Sequence, residues 1–260
     1  MPKVSVIIPT YNSHRTLQES IKSVLAQDFQ DLELIVVNDG SKDSTESVVR
    51  EIQSKSPIGN IVYLSFGKNQ GEASASNYGI QNANGELIAL LDHDDTLPTN
   101  SLGDRVRFLD QNPKVLAVYG NADLFNERGF YTTKVPPNLP NEEIAMELFR
   151  GKSVPVWIKT VMYRKSAFEE IGYFDPKLKR ALDLDIGYRL LMTGHVGYVN
   201  CNVYNHKNSH NLKKRIKHRV MATYELFLIA NKYARGTERL CLYRDNLLIQ
   251  SRKMVREFTF

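Results

Sequence analysis

Cysteine is nearly absent: the 260 residues hold two, Cys201 and Cys241. That excludes a disulfide-stapled scaffold, and their spacing offers no zinc pair, so a reducing compartment is expected. No apolar run approaches the roughly eighteen residues of a membrane span. The N-terminal MPKVSVIIPTYN has one lysine and only four apolar residues before Pro9, unlike a secretory leader. These absences set the expectation of a cytoplasmic protein, at most peripheral at the inner face of the cell membrane. Internal repeats and low-complexity segments are missing, which excludes solenoids. Both common glycine-rich phosphate cradles are missing too: no GxGxxG follows the first apolar run, and no GxxxxGK[ST] occurs.

Acids are scarce in one region only. Residues 1–185 carry 20 Lys and Arg against 25 Asp and Glu, whereas residues 186–260 carry 14 against 4. No acid lies between Ile186 and Tyr224. A basic tail with apolar Val220, Tyr224, Phe227 and Leu228 leaves two readings open. It rests on an anionic membrane surface, or it packs back on the body or between the subunits of a homodimer, the second being preferred. No nucleic-acid partner is expected.

What is present is an alternation of strand and helix. Val4–Ile8, Leu32–Val37, Ile61–Ser65 and Leu87–Leu91 read as short buried strands, the first stopped by Pro9. Between them, Leu17, Ile21, Val24 and Leu25 follow helical spacing after Asn12 and Ser13, which could cap; Val48, Val49 and Ile52 follow it again. Ala73–Gln81 reads as a helical turn region. This pattern predicts a mostly parallel sheet with helices on both faces. After residue 100 it loosens into strands at Val115–Tyr119, Thr160–Tyr163 and Val196–Tyr204. Helices are expected over Glu142–Phe149, from near Asp183, and along the basic tail from Leu212.

In such a sheet, ligands bind beyond the carboxyl ends of the strands. The first strand there delivers Pro9-Thr10-Tyr11-Asn12, the second Asn38-Asp39-Gly40-Ser41, and the fourth Asp92-His93-Asp94-Asp95. Caps and turns explain single residues of this kind. They do not explain three aspartates in four positions, because one cap uses one carboxylate. Asp92 and Asp94 share a face if the chain is still extended. A hard divalent ion, Mg²⁺ or Mn²⁺, held by one or two carboxylates and substrate phosphates, suits such a cluster in a chain lacking a glycine loop.

These segments carry a resemblance. VSVIIPTYN, QDFQDLELIVVNDGSKDST, NQGEASASNYGI and ELIALLDHDD, in this order and spacing, resemble the successive signatures of inverting family 2 glycosyltransferases of the GT-A fold, over roughly residues 3–210. The resemblance implies a Rossmann-like α/β domain in two halves, residues 1–100 binding a nucleotide sugar and 101–211 the acceptor, followed by a helical extension over 212–260. It implies metal-dependent transfer of a sugar from a nucleoside diphosphate donor, typically uridine, to a carbohydrate or glycolipid acceptor in polysaccharide or glycoconjugate synthesis.

Carried over by position, Pro9, Thr10, Tyr11, Asn12, Gly40 and Asn69 would line the nucleotide pocket, and Asp39 would accept a hydrogen bond from the base. Asp94 would be the main metal ligand, with Asp92 and His93 near the ribose and metal, and His206 a further metal ligand. Asp95 would support the loop or meet the donor sugar. Two departures stand out. Asn38 replaces the family's first aspartate, and Ser76 replaces its arginine, so that the donor site is either weaker or uses Lys68 instead. They motivate a rival reading as a degenerate, non-catalytic binder. A sugar-nucleotide pyrophosphorylase is the rival enzyme, although PTYNSHRT stands where such proteins carry a glycine-rich loop.

Inverting transfer needs a general base for the acceptor hydroxyl. The segment Leu182-Asp183-Leu184-Asp185-Ile186 resembles the family's base motif, with Leu182 in place of a glutamate. Asp183 shares a helical stripe with Ile186 and Leu190 and is the candidate base, its bland alternative being an N-cap. Asp185, four before Arg189, is expected to form an exposed pair. Trp157 either stacks on an acceptor sugar or is core.

Overall fold

The computed structural model describes residues 1–55, 61–126, 129–133, 158–179 and 181–207, together with Glu225, Leu228, Ile229 and 231–233. Trp157 and the helix expected over 142–149 lie outside the described residues. Among the described residues, eight strands form one sheet. Its first half is β1 (Val4–Thr10), β2 (Leu32–Asn38), β3 (Ile61–Ser65) and β4 (Leu87–Leu90), in the order β3-β2-β1-β4. All neighbours in this half are parallel. Every residue of β1 and β2 is buried, as strands covered on both faces require. Pro9 lies inside β1, so the strand runs past the expected stop to Thr10.

The second half reverses direction. β7 (Met162–Arg164) pairs antiparallel with β4 and with β5 (Ala117–Asn126). β6 (Gly129–Thr133) continues along β5 as a hairpin, and β8 (Val196–Lys207) runs parallel along its other edge. A 3₁₀ turn over Ile158–Thr160 precedes β7, where a strand start was expected.

Helices cover both faces, as alternation along the strands dictates. Ile7, Ile35 and Val37 point to one face, packed under α3 (Glu72–Asn82), α5 (Ala167–Ile171) and α6 (Leu182–Leu191). Val6, Ile8, Leu34 and Val36 point to the other, under α1 (Leu17–Leu25), α2 (Thr45–Lys55) and α4 (Ser101–Gln111). α1 is not capped by a side chain. The Ser13 carbonyl accepts from the Thr16 and Leu17 amides instead.

The described part of the basic tail packs back on the body. Ile229 joins the core cluster containing Leu178, Leu182 and Ile186, and the Tyr233 ring packs tilted against Tyr188 with centroids 4.9 Å apart. Among the described residues, no helix is long and apolar enough to cross a membrane.

Candidate active site

The carboxyl ends of β1, β2 and β4 open into a cavity of about 660 Å³. Pro9, Thr10, Tyr11, Asp39, Asn69, Asp92, His93 and Asp94 all line it, so most of the residues singled out from the sequence meet there. Tyr11 and Asn69 also line an adjoining hollow of about 530 Å³, which includes Gly40 and Lys68. Gly40 has φ +72°, and a Cβ there would lie 2.6 Å from the Lys68 carbonyl carbon. Only glycine lets the two loops approach so closely. Asn12 lines neither hollow. Its amide donates to Ser41 Oγ and its Oδ1 accepts from the Lys42 amide, both at 2.9 Å, so it clips the turn after β1 to the turn after β2.

Asp39 is buried at 3% exposure. Its Oδ1 accepts from the Gln70 amide at 2.7 Å and its Oδ2 from the Gly71 amide at 2.9 Å. A carboxylate has about four acceptor sites, so each oxygen retains capacity for a further donor. The departure at Asn38 has a physical account: its Nδ2 donates to the Tyr63 hydroxyl at 2.7 Å and its Oδ1 accepts from the Ser41 amide at 2.9 Å. An aspartate there could keep both contacts only with the Tyr63 hydroxyl turned round to donate.

Past β4 the chain turns rather than staying extended, the Asp95 amide donating to the Asp92 carbonyl at 3.2 Å. The carboxylates therefore take different partners. Asp92 pairs with Lys159 Nζ at 2.7 Å, and Lys159 also reaches Glu72 at 2.9 Å. Burial alone would lower the Lys159 pKa, but Asp92 and Glu72 outweigh it and hold the ammonium above its usual value. Lys159 was not foreseen, and it is a second cation near these acids besides Lys68. Lys68 lines the adjoining hollow, whereas Lys159 comes up from the 3₁₀ turn beneath the acids.

Asp95 is fully buried and lies behind the cavity. Its Oδ2 accepts from the Tyr204 hydroxyl at 2.7 Å and contacts His206 Nδ1 at 2.9 Å, while Oδ1 accepts from the Lys207 amide at 2.7 Å. This favours support of the loop over contact with a donor sugar. Burial would lower the His206 pKa, but the neighbouring Asp95 reverses the shift, with Asp92 and Asp94 adding to it.

The donor set can be tested against a divalent ion. Among the described residues, no three His, Cys, Asp or Glu side chains form a ready cage. Asp94 is half-buried on the cavity wall, and His206 carries a carboxylate behind its ring, as metal-binding histidines commonly do. One or two protein ligands completed by phosphate oxygens and water is the usual arrangement for Mg²⁺. The residues fit such a shared site and not an all-protein one.

From the second half of the chain, Leu178, Lys179 and Leu182 complete the cavity wall. Asp183 follows Leu182 in the first turn of α6 and is half-buried. The N-cap is Ala181, so Asp183 is not the capping residue. Burial raises the pKa of the Tyr163 phenol, and the Asp183 charge raises it further. Asp185 pairs with Arg189 as expected, but the pair is not exposed. Asp185 is 1% accessible, and its carboxylate also accepts from the Tyr233 hydroxyl at 2.9 Å. The inward stripe of α6 runs through Leu182, Asp185, Ile186 and Leu190, so it keeps the expected Ile186 and Leu190 but carries Asp185 instead of Asp183.

An open α/β sheet with polar side chains at the end of β1 and acids beyond β2 and β4 places the chain among α/β proteins whose ligand sites lie at the carboxyl ends of the strands. Residues 5–172 match the model of the family described as Glycosyl transferase family 2, and the chain belongs to that family. It is 34% identical over 198 residues to an uncharacterised glycosyltransferase of Rickettsia typhi, covering 75% of this chain and 60% of the relative. It is 33% identical over 176 residues to the GalNAc(5)-diNAcBac-PP-undecaprenol beta-1,3-glucosyltransferase of Campylobacter jejuni, covering 65% of this chain and 56% of the relative. The chain thus spans about 60% or less of these relatives' lengths. The fold is that of S. aureus TarS 1-349 in complex with UDP-GlcNAc (TM-score 0.70, 20% identity, 94% of this chain and 71% of that one). It is equally that of the mannosyltransferase PcManGT from Pyrobaculum calidifontis in complex with GDP-Man and Mn²⁺ (TM-score 0.69, 21% identity, 94% and 68%).

Proposed function

We propose that the protein is an inverting glycosyltransferase that takes a sugar from a uridine diphosphate donor in the presence of Mg²⁺ or Mn²⁺ and passes it to a hydroxyl of a carbohydrate or glycolipid acceptor. The observation that carries this is the cavity joining Asp39, Asp92 and Asp94, with the start of α6 on its wall. The nucleoside lies along Pro9, Thr10 and Tyr11, with Asp39 accepting from the base. Asp94 and His206 would hold the metal, with the diphosphate oxygens completing its shell. The metal, when bound, supplies positive charge to the departing diphosphate. Lys159 fixes Asp92 and Glu72, so that the wall beside the diphosphate keeps one arrangement. Asp183 takes the proton of the acceptor hydroxyl. The acceptor oxygen then forms a bond to the anomeric carbon while the bond from that carbon to the phosphate oxygen breaks, and the nucleoside diphosphate leaves with that electron pair.

Calorimetric titration with UDP, in Mn²⁺ and in chelator, tests the metal role. Binding should be tighter with Mn²⁺, and Asp94→Ala should abolish the difference. Equal affinity in both conditions for the unaltered protein would remove the metal from the reading.

Base recognition should rest on Asp39. Asp39→Ala should weaken UDP by about 1–3 kcal/mol, the range for losing a buried charged hydrogen bond. Because Asp39 also clamps the Gln70 and Gly71 amides, selectivity is the sharper measurement. The unaltered protein should prefer UDP to GDP and the variant should not. Indifference of the unaltered protein among nucleoside diphosphates would rule this recognition out.

A further inference from the structure

We infer that Glu225, far along the basic tail, is a positioning residue for the base-bearing wall of the cavity, and that the tail segment around it is part of the catalytic apparatus. The inference rests on the reading of Asp183 as the base. Glu225 is 4% exposed. Its Oε1 accepts from the Lys179 amide at 2.9 Å and its Oε2 from the Ala181 amide at 2.8 Å.

Ala181 is the N-cap of α6 and has no side chain that could cap. The first amides of a helix need acceptors, and the positive end of the helix favours a carboxylate nearby. A residue 44 positions away supplies it. The two amides it holds belong to the short stretch that carries Leu178, Lys179 and Leu182 into the cavity, immediately before Asp183.

The attachment is built at more than one point. Ile229 fills the core beside Leu178 and Leu182. The Tyr233 hydroxyl reaches Asp185, one turn into the helix, and Lys232 Nζ lies 3.5 Å from the same carboxylate. Apolar packing and two carboxylate contacts therefore fix the first turn of α6 against the tail. None of these residues lines the nucleotide side of the cavity, which is made by the ends of β1, β2 and β4.

The consequence is a separation of effects. Releasing the clamp should leave nucleotide affinity intact and misplace the base. A shift of about 1 Å in a reacting group can cost on the order of 10²-fold in rate. Turnover is read as metal-dependent hydrolysis of the donor found in a panel of UDP- and GDP-sugars, with water as acceptor. In the full chain, Glu225→Ala should reduce kcat on that scale while UDP affinity in Mn²⁺ stays unchanged. Glu225→Gln keeps one acceptor oxygen of the two and should fall between.

Hydrogen exchange supplies a readout independent of activity: the Lys179 and Ala181 amides should lose protection in Glu225→Ala. Protection unchanged in that variant would overturn the clamp, whatever the activity. Protection lost with turnover intact would overturn the positioning role. Loss of UDP affinity together with turnover, in Gln as well as Ala, would also overturn it, by making Glu225 a support of the whole fold. Failure of the unaltered protein to bind any nucleoside diphosphate would instead strike the donor reading and leave the exchange result standing.

Discussion

Asp183→Asn should lower turnover by about 10²–10⁴-fold, the usual loss when positioned proton transfer is removed. UDP and Mn²⁺ should bind as before. The substitution keeps the size and polarity of the side chain and removes only its ability to take a proton. Three features make Asp183 the better of the two carboxylates in the first turn of α6. It is the immediate neighbour of Leu182, which lines the cavity, although Asp183 itself is not among the lining residues. It is half-buried, so a hydroxyl can reach it, whereas Asp185 is sealed at 1% exposure. Asp185 is also committed to Arg189 and Tyr233. Initial rates for Asp183→Asn and Asp185→Asn, set beside UDP affinity, decide the matter. An active Asp183→Asn with an inactive, folded Asp185→Asn would exchange the two roles. This comparison also separates an enzyme from a binder, since a binder has no turnover to lose.

The first half of the fold was legible because its strands are short, apolar and separated by periodic helices. Strands buried on both faces leave little ambiguity, and the polar residues at their ends then fall on one edge. The second half was harder to read. α4 escaped notice because buried Arg105 sits in its apolar stripe, donating to Ser101 and the Thr160 carbonyl. β8 runs past its apolar stretch to Lys207 by pairing with β5, and β5 runs on to Asn126 by pairing with β6. Local pattern does not record pairing between distant segments.

The site was legible in its residue types and less so in its partners. Asp92, Asp94 and Asp39 could be named from spacing, but the cation among the acids could not. Lys159 stands in an apolar stretch, SVPVWIKT, where a lone lysine is the one available signal. Glu225 follows the acid-free stretch as its first carboxylate, yet sequence distance hides that it caps α6. Asp185 shows the limit of helical periodicity. Residues two apart were correctly put on different faces, but which face was inward depended on Arg189 carrying charge into the interior. Arg189 does so because its guanidinium donates to the carbonyls of Ile171, Gly172 and Tyr173 at the end of α5.

Asp185→Ala should therefore be a stability mutation of unusual size, about 3–5 kcal/mol, as expected when one partner of a buried ion pair is removed. The lower end is favoured. Arg189 would keep its three carbonyl acceptors, and its side chain retains 16% exposure. The Tyr233 hydroxyl would lose its carboxylate, so the tail contact should loosen with it. Urea denaturation followed by far-ultraviolet dichroism and by tyrosine fluorescence measures the effect, provided the unaltered protein unfolds in one step. Asp185→Asn keeps the volume and one acceptor oxygen and should lose distinctly less. Arg189→Met fills a similar space, but would leave Asp185 buried with only Tyr233 and the distant Lys232, and should cost at least as much as Asp185→Ala. A loss below about 1 kcal/mol for Asp185→Ala, the level of an exposed pair, would mean that the pair is solvated in solution and that α6 is rotated toward the face the sequence pattern first indicated.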